Sequence, residues 1–403
     1  MEVEMDTKYD YLIIGGGMTA AAAVLGIREV DLKGTIGIIS AEDQRPYNRP
    51  PLSKKLWQGK SEDIIWRDLP KEHLDLILGV RVSMVDPLLK QVQDEAGRSY
   101  GYKKLLLATG GRPNRLPFAP EETLYYRTLQ DYHTLRGWVG KGARMGIIGG
   151  GFIGSEIAAA LASNGEQVVV VFPENGIGSL IYPEDLSQFI TEYYQRKGVE
   201  IHSGVEIQAI DRQDNRFVLR GKDGNAVKVD HIIAGIGIRP NIELAQTAGI
   251  TIGDPEKGGG ILVDKYLRTN QPDIFAAGDV ASFYNAALQQ QMRVEHEDNA
   301  NSMGRVAGLN MAGRETGYQH QPFFYSDLFD LGFEAVGELN PLLETYADWK
   351  EPFRKGVVYY LKNRKIRGVL LWNTWDQVDA ARELISNGRT YADTELKSLL
   401  PKP

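Results

Sequence analysis

The 403-residue chain contains no cysteine. That absence excludes disulfides, thiolate metal sites, thiol nucleophiles and redox-active dithiols, and it leaves the compartment open. No stretch approaches the ~18 consecutive apolar residues of a membrane-spanning helix. There is no long lysine or arginine run and the formal net charge is −7, so nucleic acid is not an expected partner. The six histidines are scattered and lack the spacing of a metal-binding helix. The acidic start, Met1-Glu2-Val3-Glu4-Met5-Asp6, has neither a secretory apolar core nor an arginine-rich transit pattern. A soluble cytoplasmic protein is expected, or a mitochondrial one if a targeting segment has been removed.

What is present is glycine, 44 residues of it, about 11% against a usual ~7%. The glycines are concentrated where short apolar runs end. Tyr9-Asp10-Tyr11-Leu12-Ile13-Ile14 leads into Gly15-Gly16-Gly17-Met18-Thr19-Ala20 and an alanine-rich continuation. This reads as strand, tight turn and helix, with the small-residue pattern Gly15-x-Gly17-x-x-Ala20 that seats a dinucleotide pyrophosphate on a helix N-terminus. A second strand, Thr35–Ser40, is followed by Glu42 and Asp43. An acid at the end of the second strand is where a ribose hydroxyl is held. Glu42 is the first candidate and Asp43 the second.

The same theme returns. Arg144–Ile148 leads into Gly149-Gly150-Gly151-Phe152-Ile153-Gly154-Ser155-Glu156, and the next strand, Gln167–Phe172, ends at Pro173-Glu174. One such turn is weak evidence; two, each with strand before, helix after and acid beyond, are an internal repeat of nucleotide-binding units. No arginine stands beside Glu174, where a 2′-phosphate would need one, so NADH is favoured over NADPH. FAD and NAD share the half that these turns read, and a flavin with a nicotinamide implies hydride transfer.

Other segments fit around this pair. Arg49-Pro50-Pro51-Leu52-Ser53-Lys54 predicts an extended stretch opening into a helix over Leu52–Leu56, with Arg49 and Lys54 as cations for a pyrophosphate or an anionic ring. Residues 61–102 read as a hairpin-rich insertion. Lys104–Leu107 is a buried strand that ends in Ala108-Thr109-Gly110, a turn over which the chain approaches the same ligand again. Gly278-Asp279 follows another short strand, with Asp279 available to a ribityl or sugar hydroxyl. From Gln319 onward, aromatic and β-branched runs predict a small antiparallel sheet closed by a helix near Gln377–Ile385.

In combination, the N-terminal triple glycine, Arg49–Lys54, Leu105–Pro113, Ile147–Glu156, Gly235–Asn241 and Phe275–Val280 resemble the two-dinucleotide FAD/NAD(P)H flavoprotein reductases. Arg49–Lys54, Val171–Gly176, Arg293–Asp298, Phe324–Phe329 and Lys355–Asn373 narrow the resemblance to the apoptosis-inducing factor branch. The implied fold is α/β: two Rossmann-like, glutathione-reductase-like domains plus a small α+β C-terminal domain. The expected boundaries are 1–121 with 246–318 for FAD, 122–245 for NADH and 319–403 for the C-terminal part.

By the resemblance, Gly15, Gly16, Gly17, Thr19, Ala20, Glu42, Asp43, Arg49, Lys54, Val82, Ala108, Thr109, Gly110, Arg127, Gly278, Asp279, Glu295, His296 and Tyr325 would serve FAD. Gly149, Gly150, Gly151, Phe152, Ile153, Gly154, Glu156, Glu174, Gly237, Glu334 and Asn373 would serve NADH. Lys54, Glu156, Phe152 and His296 would stand closest to the chemistry, with Phe152 an aromatic gate and Glu156 the partner of Lys54 beside flavin N5. The implied reaction is hydride transfer from NADH C4 to flavin N5, then electron release to oxygen, a quinone or a carrier protein. A long-lived reduced flavin–NAD charge-transfer complex and an NADH-linked homodimer are part of that expectation. The alternatives are a ferredoxin or rubredoxin reductase and an NADH-sensing module without catalysis. The sequence lacks the long C-terminal insertion and the basic import segment of vertebrate members, and Tyr325 stands where they have tryptophan, so nuclear and DNA-degrading roles are not expected.

Overall fold

A computed structural model describes residues 7–400. The chain forms two compact units. The first comprises the chain to Asn48, Glu62–Arg112 and Arg239–Pro322; the second comprises Arg49–Ser61, Pro113–Ile238 and the chain from Phe323 onward.

In the first unit the strands Leu74–Ile77, Ile36–Ile39, Thr7–Ile14, Ser99–Leu107 and Ile274–Ala276 lie side by side and parallel. Their near-continuous apolar runs, Leu12-Ile13-Ile14 and Leu105-Leu106-Leu107 among them, are buried, as expected of a parallel sheet covered on both faces. The segment expected as a hairpin-rich insertion is divided. Leu74–Ile77 is the outer parallel strand, whereas Val82–Asp86 and Gln91–Asp94 form an antiparallel pair on Ser99–Gly101. Leu74–Ile77 escaped prediction because an edge strand with half of its residues exposed has no long apolar run.

The helices Met18–Arg28 and Glu297–Met311 pack unusually closely. A Cβ added at Gly304 would lie 2.4 Å from the Thr19 carbonyl oxygen, and one at Gly308 would lie 2.2 Å from that of Ala23. Only glycine permits this approach, which fixes the angle at which the first helix presents its N-terminus.

In the second unit Glu200–His202, Gln167–Val171, Arg144–Ile148, His231–Ala234 and Leu124–Tyr125 make another parallel sheet, accompanied by the antiparallel Ile207–Gln213, Arg216–Gly221 and Ala226–Val229. Phe323–Leu328, Leu331–Gly337, Lys365–Trp372, Lys355–Lys362 and Glu344–Glu351 form a five-stranded antiparallel sheet in that order, backed by the helix Val378–Ser386. The predicted helix over Leu52–Leu56 is instead two short 3-10 turns, Pro50–Ser53 and Lys55–Gln58. Lys54 interrupts them at φ −129°, ψ −96°. Among the described residues, no helix is long and apolar enough to cross a membrane and no acidic or histidine group could hold a metal ion.

Candidate dinucleotide sites

The first glycine turn is shaped by what crowds it. Gly15 has φ +110°, and a Cβ there would meet the Ala108 carbonyl oxygen at 2.2 Å. Gly16 faces Ser40, with Oγ 2.5 Å from a would-be Cβ, whereas Gly17 opens onto free space. Gly17 caps the Met18–Arg28 helix without any side-chain cap, and no acid stands in the first turn. First-turn N–H groups that no side chain caps among the described residues, and the helix dipole, therefore face a space open to an anion. These residues fit a pyrophosphate.

Gly278 closes on this turn from far down the chain. It has φ +79°, and a Cβ on it would lie 2.2 Å from Thr19 Oγ1. That puts half-buried Asp279 beside the N-terminus of the first helix. Ala108 donates its N–H to the Ile14 carbonyl at 2.8 Å. Thr109 is clasped by Asn241, whose Nδ2 donates to the Thr109 carbonyl and whose own carbonyl accepts from Oγ1, both at 2.8 Å. The neighbouring Gly110 carbonyl accepts the Asn241 N–H at 3.0 Å.

The second turn repeats the first nearly atom for atom. Gly149 has φ +112°, blocked by the Gly235 carbonyl at 2.4 Å, and Gly150 lies against the Phe172 ring as Gly16 does against Ser40. Gly151 opens onto free space and caps Phe152–Ser163 at φ −81°, ψ −165°, against −89° and −166° at Gly17. Gly154 adds a contact of its own: a Cβ there would be 1.9 Å from the Gly149 carbonyl.

The repeat extends to the acids. The Glu42 carbonyl accepts from Gly79 N–H at 3.0 Å and the Glu174 carbonyl from Gly204 N–H at 2.8 Å, each two residues past the position that faces the middle glycine. Glu42 and Glu174 thus occupy equivalent places, both half-buried, whereas Asp43 is exposed. Tyr47 donates its hydroxyl to Glu42 Oε2 at 2.6 Å.

Within the second unit, Lys54 Nζ lies 2.7 Å from Glu156 Oε1, with the two side chains only 8% and 4% exposed. A buried ion pair is tolerable only when its remaining lone pairs are satisfied, and here they are. Ser326 Oγ donates to Glu156 Oε1 at 2.6 Å and Ser53 Oγ to Oε2 at 2.5 Å. The ammonium sits 5.2 Å from the centre of the Tyr325 ring, within cation–π range. The Asp327 carboxyl is pushed up, first by burial and further by Glu156, against the opposing pull of Lys54. Arg49 Nη1 donates to the Arg127 carbonyl at 3.0 Å, and Tyr126 donates its hydroxyl to the Leu52 carbonyl. Lys54, Glu156, Tyr325, Arg49 and Arg127 are therefore held together in one unit.

Phe152, at the first position of its helix, meets Phe324 edge-on at 5.4 Å, and Ile153 beside it is half-buried. Gly237 has φ +83° and its carbonyl accepts the Asn114 N–H at 3.0 Å. Glu334, opposite Tyr325 in the sheet register, has a buried Oε2 with no hydrogen-bond partner among the described residues. Its carboxyl is raised by burial and by the nearby Asp376.

The remaining candidate residues make contacts of their own. Asn373 Oδ1 accepts from Gly332 N–H at 2.8 Å and its Nδ2 donates to the Arg354 carbonyl at 2.9 Å, bracing strand ends. Glu295 is ion-paired to Arg293 at 2.6 Å. His296 caps the Glu297–Met311 helix by backbone conformation. Val82 is buried in the apolar core of the first unit.

Four residues at these sites escaped the sequence reading. Ser53, Ser326 and Asp327 are defined only by their approach to Glu156 or Lys54. Arg67 links Asn48 Oδ1 at 2.8 Å with Asn301 Oδ1 at 2.6 Å in the first unit. Ser53, directly before Lys54, and Ser326 and Asp327, inside Phe324–Phe329, had a signal in their position; Arg67 had none.

The fold and the paired turns define a two-dinucleotide reductase. The model of the pyridine nucleotide-disulphide oxidoreductase family matches residues 9–304, and the chain belongs to that family, whose members use FAD and NAD(P)H. The model for the mitochondrion-associated C-terminal domain of apoptosis-inducing factor matches residues 307–352 and 346–387. The chain is 35% identical to apoptosis-inducing factor 1, mitochondrial, of Dictyostelium discoideum, over 97% of this chain and 81% of that protein. It is 31% identical to the 5,5′-dehydrodivanillate O-demethylase ferredoxin reductase subunit of Sphingobium, over 97% and 98% of the two chains. Its fold matches the reductase in a covalent putidaredoxin reductase–putidaredoxin complex with TM-score 0.89 at 25% identity, covering 98% of this chain and 96% of that one. With no cysteine in the chain, the disulphide chemistry in the family's name has no thiol here to act through.

Proposed function

We propose that the chain is an NADH-preferring, FAD-dependent oxidoreductase that hands electrons to a separate acceptor. In this reading residues 1–121 and 246–318 serve FAD, residues 122–245 serve NADH, and residues 319–403 add the Tyr325–Asp327 strand. The observation that carries it is the duplicated turn, with Glu42 and Glu174 in equivalent places, in a chain that also buries the Lys54–Glu156 pair. Two matched dinucleotide turns serve two dinucleotides, and one of them has the Lys54 ammonium to offer an electron-accepting ring.

FAD and NADH, when bound, would supply hydride chemistry between a nicotinamide and a flavin. The protein's part is positioning and charge. Gly17 and Gly151 leave the helix N–H groups open to each pyrophosphate. Glu42 and Glu174 take ribose hydroxyls, and the Glu174 carboxylate repels a 2′-phosphate. Lys54 would stabilise negative charge on the ring system, Glu156 fixes the direction of its ammonium, and Phe152, held by Phe324, would screen the ring. Glu334, whose carboxyl is raised by burial, would face the carboxamide.

The acceptor divides two readings. A small oxidant suits a slow enzyme like apoptosis-inducing factor. An iron–sulfur carrier is favoured by the relative described as a ferredoxin reductase subunit, which aligns over nearly its full length. Rapid mixing of the purified flavoprotein with NADH, then with oxygen, quinones or a ferredoxin, tests both. Flavin reduction by NADH with no reoxidation advantage for any carrier rejects the second reading, and the absence of NADH-driven flavin reduction rejects the first as well.

A further inference from the structure

Glu156 is anchored from both sides of the chain. Oε1 accepts both Lys54 Nζ at 2.7 Å and Ser326 Oγ at 2.6 Å, while Oε2 accepts Ser53 Oγ at 2.5 Å. Ser326 is 1% exposed, so its hydroxyl is shielded from solvent. It lies between Tyr325, whose ring the ammonium faces, and Asp327, which is electrostatically coupled to Lys54 and Glu156. Three consecutive residues of one C-terminal strand therefore converge on the pair.

We infer that Ser326 is a positioning residue that sets how much of the Lys54 charge reaches the flavin. The inference rests on the reading of Lys54 as the flavin's cationic partner. The physical argument is competition for one oxygen. A hydroxyl donating to Oε1 draws off part of the negative charge that would otherwise neutralise the ammonium on the same atom. A hydrogen bond to a charged group is stronger than a neutral one, so losing this one alters the field at the ring. Without Ser326 Oγ, Glu156 holds Lys54 more tightly, the cation supports reduced flavin less, and the flavin potential falls. With the hydroxyl restored by threonine, the potential returns.

The test is the midpoint potential of bound FAD by spectroelectrochemistry in the holoprotein, for wild type, Ser326→Ala, Ser326→Thr and Lys54→Ala, with FAD content measured alongside. Ser326→Ala should weaken the preference for reduced flavin about tenfold, read as a potential about 30 mV more negative for a two-electron couple. Ser326→Thr should match wild type, and Lys54→Ala should shift in the same direction and further. If Ser326→Ala matches wild type while Lys54→Ala is shifted, the inference fails and the reading of Lys54 stands. If neither variant moves the potential, the reading of Lys54 fails and the inference falls with it. A threonine variant as shifted as the alanine one, with FAD fully bound, also overturns the hydroxyl's role.

Discussion

Replacing Lys54 by alanine removes a buried ammonium and leaves Glu156 with two serine hydroxyls. The pyrophosphate turns are untouched, so FAD content should stay near wild type while the rate of flavin reduction by NADH falls roughly a hundredfold, the scale of deleting one charge-stabilising group at a reacting centre. Stopped-flow absorbance reads both quantities, and an unchanged rate would remove Lys54 from the mechanism. At Glu174 the expected change is in selectivity. Glu174→Arg should lower the preference for NADH over NADPH at least about tenfold, the worth of one charged hydrogen bond, with the ratio of second-order rate constants as the measure. Lys54 was legible because it closes an unusual proline-rich motif, and Glu174 because it ends a strand after a glycine turn. Ser326 was legible only as part of Phe324–Phe329: its own role waits for the fold to bring it to a carboxylate 170 residues away.

Strand, turn and helix are where the sequence speaks most clearly, because glycine at φ +110° and a run of buried β-branched residues each leave a local trace. The contact between Met18–Arg28 and Glu297–Met311 leaves none, since the two helices are far apart in the sequence. Gly308→Ala drives a methyl to 2.2 Å from the Ala23 carbonyl. It should cost about 1–3 kcal/mol in stability and weaken FAD retention, because the first helix shifts at its glycine turn. Denaturant melts of the holoprotein with released-flavin fluorescence would show both, and full FAD retention with wild-type stability would contradict the account.

The turn carrying Asp330 gives a pH test at the same scale. The Tyr193 hydroxyl, opposed by partial burial and helped by Lys197, holds the Asp330 carboxyl down from 3.8 to about 2. A folded-state value below the unfolded one contributes stability above the unfolded value and loses it as pH falls towards the folded one. Asp330→Asn should therefore melt slightly below wild type at neutral pH, with the gap closing as pH drops from 3.8 to about 2. The effect is small because the side chain is 58% exposed and screened by solvent. A gap that stays constant through that range would contradict it.

At the scale of the whole molecule, the sequence displayed two nucleotide units and a C-terminal sheet, because a repeat announces itself without knowledge of the fold. The assembly of the first unit from three separate stretches was legible only in part, through Gly278-Asp279. The inclusion of Arg49–Ser61 in the second unit was hidden, since adjacent prolines mark an extended segment without saying what it packs on. The central claim is that one chain binds FAD and is reduced by NADH without any thiol. Anaerobic stopped-flow mixing of the purified protein with NADH tests it most directly. The account predicts one FAD per chain and complete bleaching of the flavin band by one equivalent of NADH, faster than by NADPH. A protein that retains no flavin, or whose flavin band NADH leaves unchanged, would contradict it.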